Sequence, residues 1–305
     1  MNTMKVNPGI VRLIARLDVK GPNLIKGIQF DGHRVLGIPE YFAEMYYSEG
    51  IDEFIFQDSV ASLYCRNSLS DIIQKTAKNV SVPITVAGGL RSINDIEESL
   101  GSGADKIAIN TAAVSNPKLL SESVKVFGSQ CIVASIETFR HEDGSYEIWT
   151  DYGRETTGID TFEWVKRVVD AGVGEIFLTS INNEGKGKGY DIELVKRVAS
   201  SVSIPVIALG GAGKPEDLVK VVDKGMASAV AVASCYHYHY CEKVERKFMS
   251  FHEPELRMGK QIDSGNITFL NYGYGGFDAI PVEKFSIPDS KRFMHEKGIP
   301  VRMLG

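Results

Sequence analysis

Residues 80–92 read VSVPITVAGGLRS, and residues 202–214 read VSIPVIALGGAGK. Each has a β-branched run, a proline, a short strand-like stretch, a Gly-Gly step and a basic residue near the exit. A second pair lies one unit upstream, GIDEFIFQD from Gly50 and GVGEIFLTS from Gly172, with the same displacement of 122 positions. The spacing survives into GSGAD at 101–105 and DKGMA at 223–227. Unrelated loops do not keep register over so long a stretch, so the chain reads as two copies of one supersecondary block.

Working outward, strands are expected near 12–18, 53–58, 83–88, 106–110, 131–137, 175–180, 204–209 and 228–233. Helix-period segments lie between them, such as PEYFAEMYYSE, SINDIEESLGSG, NPKLLSESVKVF, TFEWVKRVVDAG and IELVKRVASSV. The strands are apolar throughout rather than alternating, the pattern of a parallel sheet covered by helices on its outer face. Eight such units in 305 residues fit a closed (β/α)8 TIM barrel, one domain over 1–305 made of two half-barrels. A doubly wound open sheet is the alternative; its dinucleotide glycine fingerprint is missing after the first strand.

Three stretches fall outside the repeat. Residues 1–9, MNTMKVNPG, read as a loose N-terminal arm. After the fifth strand, TFRHEDGSYEIWTDYGRETTG reads as an inserted β-hairpin with EDGS as its turn. After the eighth strand a long stretch precedes the last helix, expected near 288–297, and residues 250–286 are read as an insertion. Both insertions follow strands and are expected on the C-terminal face, where barrels of this kind build their sites.

The bulk numbers narrow the function classes. A chain with 43% hydrophobic residues buries a large core, and a net charge of −5 disfavours a duplex nucleic-acid surface without excluding a local anion pocket. Cys65, Cys131, Cys235 and Cys241 have neither metal-type spacing nor the density of a secreted scaffold, so a reducing cytoplasm is expected. No apolar leader is seen, and the run MASAVAVASC is too short to span a bilayer.

The glycines carry the first chemistry. Gly88-Gly89 and Gly210-Gly211 each stand between a strand and a helix, where backbone N–H groups approach an anion closely and a helix dipole favours negative charge. Asn110-Thr111 and Ala233-Ser234 add donors after the next strand in each half. One such pair is equally a tight turn, but its duplication points to two phosphate cradles on opposite sides of one mouth, and hence to a bisphosphorylated small molecule. The loop GKGKGY, from Gly185, reads either as a further phosphate grip or as a solvated turn.

Asp18 and Glu137 end the first and fifth strands, which face each other across an eight-stranded barrel. One removes a proton and the other donates one if their environments separate their pKa values; otherwise they are solvated strand ends. Asp58 and Ser180, after the second and sixth strands, rank behind them. His237 and His239, in YHYHY, are spaced to share a metal at a strand exit, but tyrosine-rich strand ends pack without one, and no metal or cofactor is expected. NYGYGG reads as a lid or as an aromatic interface patch.

The ordered set RLIARLDVKG, LIKGIQF, GIDEFIFQDSVAS, PITVAGGLRS, GADKIAINTAAV, FGSQCIVASIE, GVGEIFLTSIN, GGAGK and KGIPVR resembles the cyclase subunit family of imidazole glycerol phosphate synthase. The resemblance implies an enzyme that takes ammonia from a separate glutaminase chain docked at the N-terminal face of the barrel. It implies conversion of a ribulosyl-formimino aminoimidazole carboxamide ribonucleotide to imidazole glycerol phosphate and carboxamide ribotide. It makes Asp18 the general base and puts Glu137 at the acid's position, where the family has aspartate. Lys26, within LIKGIQF, becomes a secondary active-site residue, and Arg12, Glu53, Lys106 and Glu175 become a charged gate through which ammonia enters.

Three departures point to an alternative. Arg16, two residues before Asp18 on the same face, stands inside the barrel where the family has a small cysteine. Residues Asn182 to Lys186 replace the family's acidic-glycine-threonine loop, and the insertion after the eighth strand has no place in the pattern. The alternative resembles accessory proteins that supply ammonia for amidination of acetamido sugars in surface polysaccharides.

Overall fold

The computed structural model describes residues 9–61, 69–241 and 282–304. Its strands are β1 (Arg12–Lys20), β2 (Asn23–Ile28), β3 (Asp31–Gly37), β4 (Glu53–Asp58), β5 (Ile84–Ala87) and β6 (Lys106–Ile109). They continue with β7 (Ile132–Arg140), β8 (Tyr146–Thr150), β9 (Glu155–Asp160), β10 (Glu175–Ser180), β11 (Val206–Leu209) and β12 (Ala229–Val232). The helices that position the site are α1 (Pro39–Ser48), α2 (Ser70–Asn79), α3 (Ile93–Gly101), α4 (Thr111–Ser115) and α5 (Lys118–Phe127). Further along lie α6 (Thr161–Asp170), α7 (Ile192–Ser201), α8 (Pro215–Asp223), α9 (Ser234–Cys241) and α10 (Ile287–Glu296).

Parallel pairing runs β1–β4–β5–β6–β7–β10–β11–β12 and returns to β1, where Arg12 lies opposite Ala229 and Ala15 opposite Val232. The sheet is therefore a closed (β/α)8 barrel. Its strands are buried on both faces because helices cover the outside while the inward side chains fill the middle. Ile14, Ile55, Ala87, Ala108, Val133, Phe177, Ile207, Leu209, Ala229 and Ala231 form that inner layer, alanines and branched aliphatics around one phenylalanine. Deleting the Phe177 ring would leave a void that costs about 3–5 kcal/mol.

The repeat holds at the level of single atoms. A Cβ on Gly88 would lie 2.5 Å from the Asp58 carbonyl oxygen, and one on Gly210 would lie 2.6 Å from that of Ser180. Both glycines sit at positive φ, 94° and 99°, so only glycine turns the chain this tightly over the neighbouring strand. Helices α1 and α6 both end before a left-handed glycine, Gly50 and Gly172. The Ser92 hydroxyl accepts from the Asp95 N–H at the start of α3, Asp160 caps α6, and Asp191 caps α7.

Two antiparallel excursions interrupt the barrel. The hairpin expected after the fifth barrel strand is present: β7 runs on, the His141 N–H donates to the Ser145 carbonyl at 2.9 Å, and β8 and β9 complete a ribbon. A second hairpin, β2–β3, follows the first barrel strand; the sequence reading had no element there. Both rise from C-terminal strand ends. The YHYHY run is corrected: it is helix α9, not a strand exit. The expected N-terminal arm and the insertion at 250–286 lie outside the described residues but for Gly9 and residues 282–286. Among the described residues, no helix is long and apolar enough to cross a membrane.

Candidate active site

Along β1 the inward residues are Arg12, Ile14, Arg16 and Asp18, so one strand samples the barrel from floor to mouth. At the floor, Arg12 Nη1 lies 2.5 Å from Glu53 Oε2 and its Nη2 pairs with Glu175. Lys106 Nζ closes the circuit, 2.9 Å from Glu53 Oε1 and 3.0 Å from Glu175 Oε2. The Thr85 hydroxyl donates to Glu53 as well, at 3.1 Å. Four alternating charges thus satisfy one another in a ring, and Arg12 and Lys106 keep part of their surface in water. Pairing and wetting make such a ring tolerable at a barrel end.

Near the mouth, Arg16 and Asp18 are each 1% exposed, with Arg16 Nη2 2.8 Å from Asp18 Oδ1. The contact is an ion pair without hydrogen-bond alignment. The guanidinium carbon of Arg16 lies 5.1 Å from the Phe30 ring centre, 5.6 Å from Tyr152 and 5.9 Å from Phe177. Lys26 Nζ, from β2, is 4.0 Å from Asp18 Oδ2 and is also bonded to the buried Glu184 carboxylate. Burial pushes the Asp18 carboxyl upward, but Arg16, Lys26 and the Tyr152 hydroxyl outweigh it and hold Asp18 below the usual range.

Glu137 stands on β7 with different company. Its Oε2 accepts from Asn110 Nδ2 at 3.0 Å and from the Gly153 N–H at 2.8 Å, both neutral donors. Burial pushes its carboxyl up to about 7, with the Asp18 charge adding to the rise and Arg16 opposing it. Near neutral pH the two carboxylates therefore differ: Asp18 is ionised and Glu137 holds a proton about half the time.

A cavity of about 270 Å³ opens beside Glu137. Gly88, Gly89, Asn110, Thr111 and Asp58 line it, so the first cradle and one secondary candidate share a space with Glu137. The Thr111 hydroxyl accepts from the Asp151 N–H at 3.0 Å, and Asp58 Oδ1 accepts from the Val60 N–H at 2.9 Å.

The second cradle is covered. The Gly189 N–H donates to the Gly211 carbonyl at 2.7 Å, and a Cβ on Gly211 would lie 2.0 Å from the Gly189 oxygen. Gly185 packs in the same way on Gly27 and Ile28 of β2. Gly210 packs on the Ser180 backbone, where the 182–189 loop starts, and Ala233 and Ser234 are buried. The Ser180 carbonyl accepts from the Glu184 N–H at 3.0 Å, which starts that loop.

Sequence reasoning missed Phe30 and Tyr152, which sit in two hairpin turns and meet with ring centres 4.4 Å apart. His237, in the YHYHY run, is a core residue. His237 Nδ1 is 2.6 Å from the Tyr46 hydroxyl, and burial together with Lys26 drives its pKa down to about 3, so the ring is neutral. Among the described residues no group of His, Cys, Asp and Glu could hold a metal ion.

Comparison with known proteins gives one answer. The family described as Histidine biosynthesis protein matches residues 12–242. The imidazole glycerol phosphate synthase subunit HisF of Legionella pneumophila is 58% identical over 207 residues, 68% of this chain and 98% of that relative. The subunit of the same name from Dehalococcoides mccartyi is 46% identical over 227 residues, covering 74% of this chain and 89% of its own length. That from Natranaerobius thermophilus is 43% identical over 248 residues, 81% of this chain and 98% of its own length.

Proposed function

The chain belongs to the histidine-biosynthesis family, as an enzyme of the cyclase-subunit type of imidazole glycerol phosphate synthase, and from that premise we propose the reaction and the residues that carry it. The substrate is a ribulosyl-formimino aminoimidazole carboxamide ribonucleotide, and the products are imidazole glycerol phosphate and carboxamide ribotide. Ammonia comes from a glutaminase partner docked at the floor of the barrel, and the ring of Arg12, Glu53, Lys106 and Glu175 is its entrance. Asp18 accepts a proton as general base, and Glu137 donates one as general acid. Gly88, Gly89, Asn110 and Thr111 hold one phosphate. Gly210, Gly211, Ala233 and Ser234 hold the other once the loop around Gly185 has moved aside, with Lys26, Asp58 and Ser180 around the reacting centre.

The observation that carries this reading is the split between two buried carboxylates on facing strands, one held low by cations and the other raised to about 7. General acid–base catalysis needs such a split, and it contributes about 10²–10⁴ in rate. The test is direct. Purified protein is given the ribonucleotide and a high ammonium concentration, and loss of substrate is followed together with formation of imidazole glycerol phosphate. Turnover that falls by about 10²–10⁴ in Asp18→Asn supports the reading. Absence of turnover from folded protein removes it.

A second reading, ammonia supply for amidination of an acetamido sugar, is favoured by Arg16 buried against the barrel's inner Phe177 and by the covered second cradle. In that case the ribonucleotide is not consumed, and an acetamido sugar nucleotide is amidinated when its amidotransferase is supplied.

A further inference from the structure

Asp18 and Glu137 are 1% and 4% exposed, so burial alone does not tell them apart. Their neighbours do. Facing Asp18 are Arg16 from its own strand, Lys26 from β2, Tyr152 from the β8–β9 turn and His237 from α9, with the imidazole of His33 on β3 sensing the same charge. Lys26 is shared with Glu184, and His237 is neutral. Of the two cations, Arg16 is the nearer, 2.8 Å from Asp18 against 4.0 Å for Lys26. Facing Glu137 are the neutral donors Asn110 and Gly153, with Arg16 and Asp18 acting from farther off. A buried carboxylate stays ionised when a cation pairs with it, and neutral donors support it much less.

Arg16 has no freedom to leave. Its planar group lies among Phe30, Tyr152 and Phe177, and two of those rings come from turns whose residues sit in the left-handed region, Phe30 at φ 65° and Tyr152 at φ 60°. Non-glycine residues there cost free energy that the surrounding structure must offset, and such strain gathers at functional sites. Here both strained turns deliver an aromatic face to the same guanidinium.

We propose that Arg16 is a positioning residue of the acid–base pair: caged by Phe30, Tyr152 and Phe177, it fixes the Asp18 carboxylate in its ionised form and so leaves the proton of the pair on Glu137. The inference rests on the acid–base reading above, but its test does not need turnover.

The experiment is a carbon-detected NMR titration of the full chain carrying labelled Asp and Glu carboxyls, assigned with Asp18→Asn and Glu137→Gln. Wild type is compared with Arg16→Met, which keeps an unbranched stem but loses the charge, and with Arg16→Lys, which keeps the charge. The Asp18 midpoint rises by about one to three pH units in Arg16→Met and returns most of the way in Arg16→Lys. The acid limb of ammonium-driven turnover moves with it. An unchanged Asp18 midpoint in folded Arg16→Met overturns the proposal, as does identical behaviour of the Met and Lys variants. If Arg16→Met does not fold, the double variant with Asp18→Asn decides. Recovery of folding shows that the Asp18 charge is what needs Arg16, and continued failure reduces Arg16 to packing and overturns the proposal. Wild-type protein without turnover counts against the reaction, while the titration still judges Arg16.

Discussion

On the proposed acid–base reading, Glu137 sets the upper pH limit of the chemistry. A group that must donate a proton loses that ability as pH rises through its own pKa, here about 7, so kcat/KM falls above neutrality. Replacing Glu137 by Gln abolishes that limb and lowers turnover by about 10²–10⁴, as read from a pH–rate profile with ammonium as nitrogen source. The same group affects folding. Its folded pKa lies above the unfolded value of 4.5, so its contribution to stability is fully present below 4.5 and is lost as pH rises through about 7. Asp18 has the opposite sign: its contribution is present above the ordinary 3.8 and is lost as pH falls through its depressed value. Thermal melts of Glu137→Gln between pH 5 and pH 8 should therefore decline less with pH than those of wild type; an equal decline would show that Glu137 is ionised throughout. Asp18, Glu137 and the inward direction of Arg16 are legible in the sequence because side chains two apart on a strand share a face. The asymmetry of their neighbours is not legible, because Asn110, Lys26 and the adjacent Tyr152 and Gly153 arrive from three other segments.

The two hairpins explain why an element of structure here is also part of the site. The β7–β8 turn was readable from EDGS, whereas β2–β3 turns at Gln29 and Phe30, both at positive φ without a glycine between them. Tight hairpins usually announce themselves by Asn-Gly or Asp-Gly, and Gln-Phe carries no such signal. The turn forms because its tip is held from outside: the Gln29 N–H donates to the Glu184 carbonyl at 3.1 Å, and Phe30 packs with Tyr152 and Ile181. Gly153 is what lets the opposite tip approach. A Cβ there would lie 2.5 Å from Phe30 Cδ2, at a φ of 69° that a side chain rarely adopts. Gly153→Ala is therefore expected to part the two tips and lower stability by about 1–3 kcal/mol. A fall in the denaturant midpoint at unchanged slope checks this. A midpoint within error of wild type would mean that the tips do not depend on one another.

At the scale of the molecule, the half-barrel repeat makes a mouth and a floor with different chemistry, joined by the inward face of β1. The barrel was legible from an end-to-end echo in the sequence because parallel strands buried on both faces read as apolar runs. Covering of the second cradle by the 182–189 loop was not, since it depends on backbone contacts between glycines rather than on a residue pattern. The floor ring has two readings, an entrance for ammonia and an ion-pair brace, and one substitution separates them. Glu53→Gln removes the partner of both Arg12 and Lys106 and leaves Glu175 facing two cations. The loss of stability should fall below the roughly 3–5 kcal/mol of a fully buried pair, because Arg12 and Lys106 reach water. Adding Lys106→Met rebalances the charge, and the cycle of single and double variants measures the coupling. If the ring is only a brace, turnover driven by glutamine through the proposed partner and turnover driven by free ammonium change together. If it is the entrance, ammonium-driven turnover stays near wild type, since free ammonia also reaches the mouth from solvent. Glutamine-driven turnover then falls by about tenfold, equivalent to roughly 1.4 kcal/mol. The ratio of the two rates, measured on the same preparation, cancels any general damage to the barrel and leaves the route of the nitrogen as the quantity read.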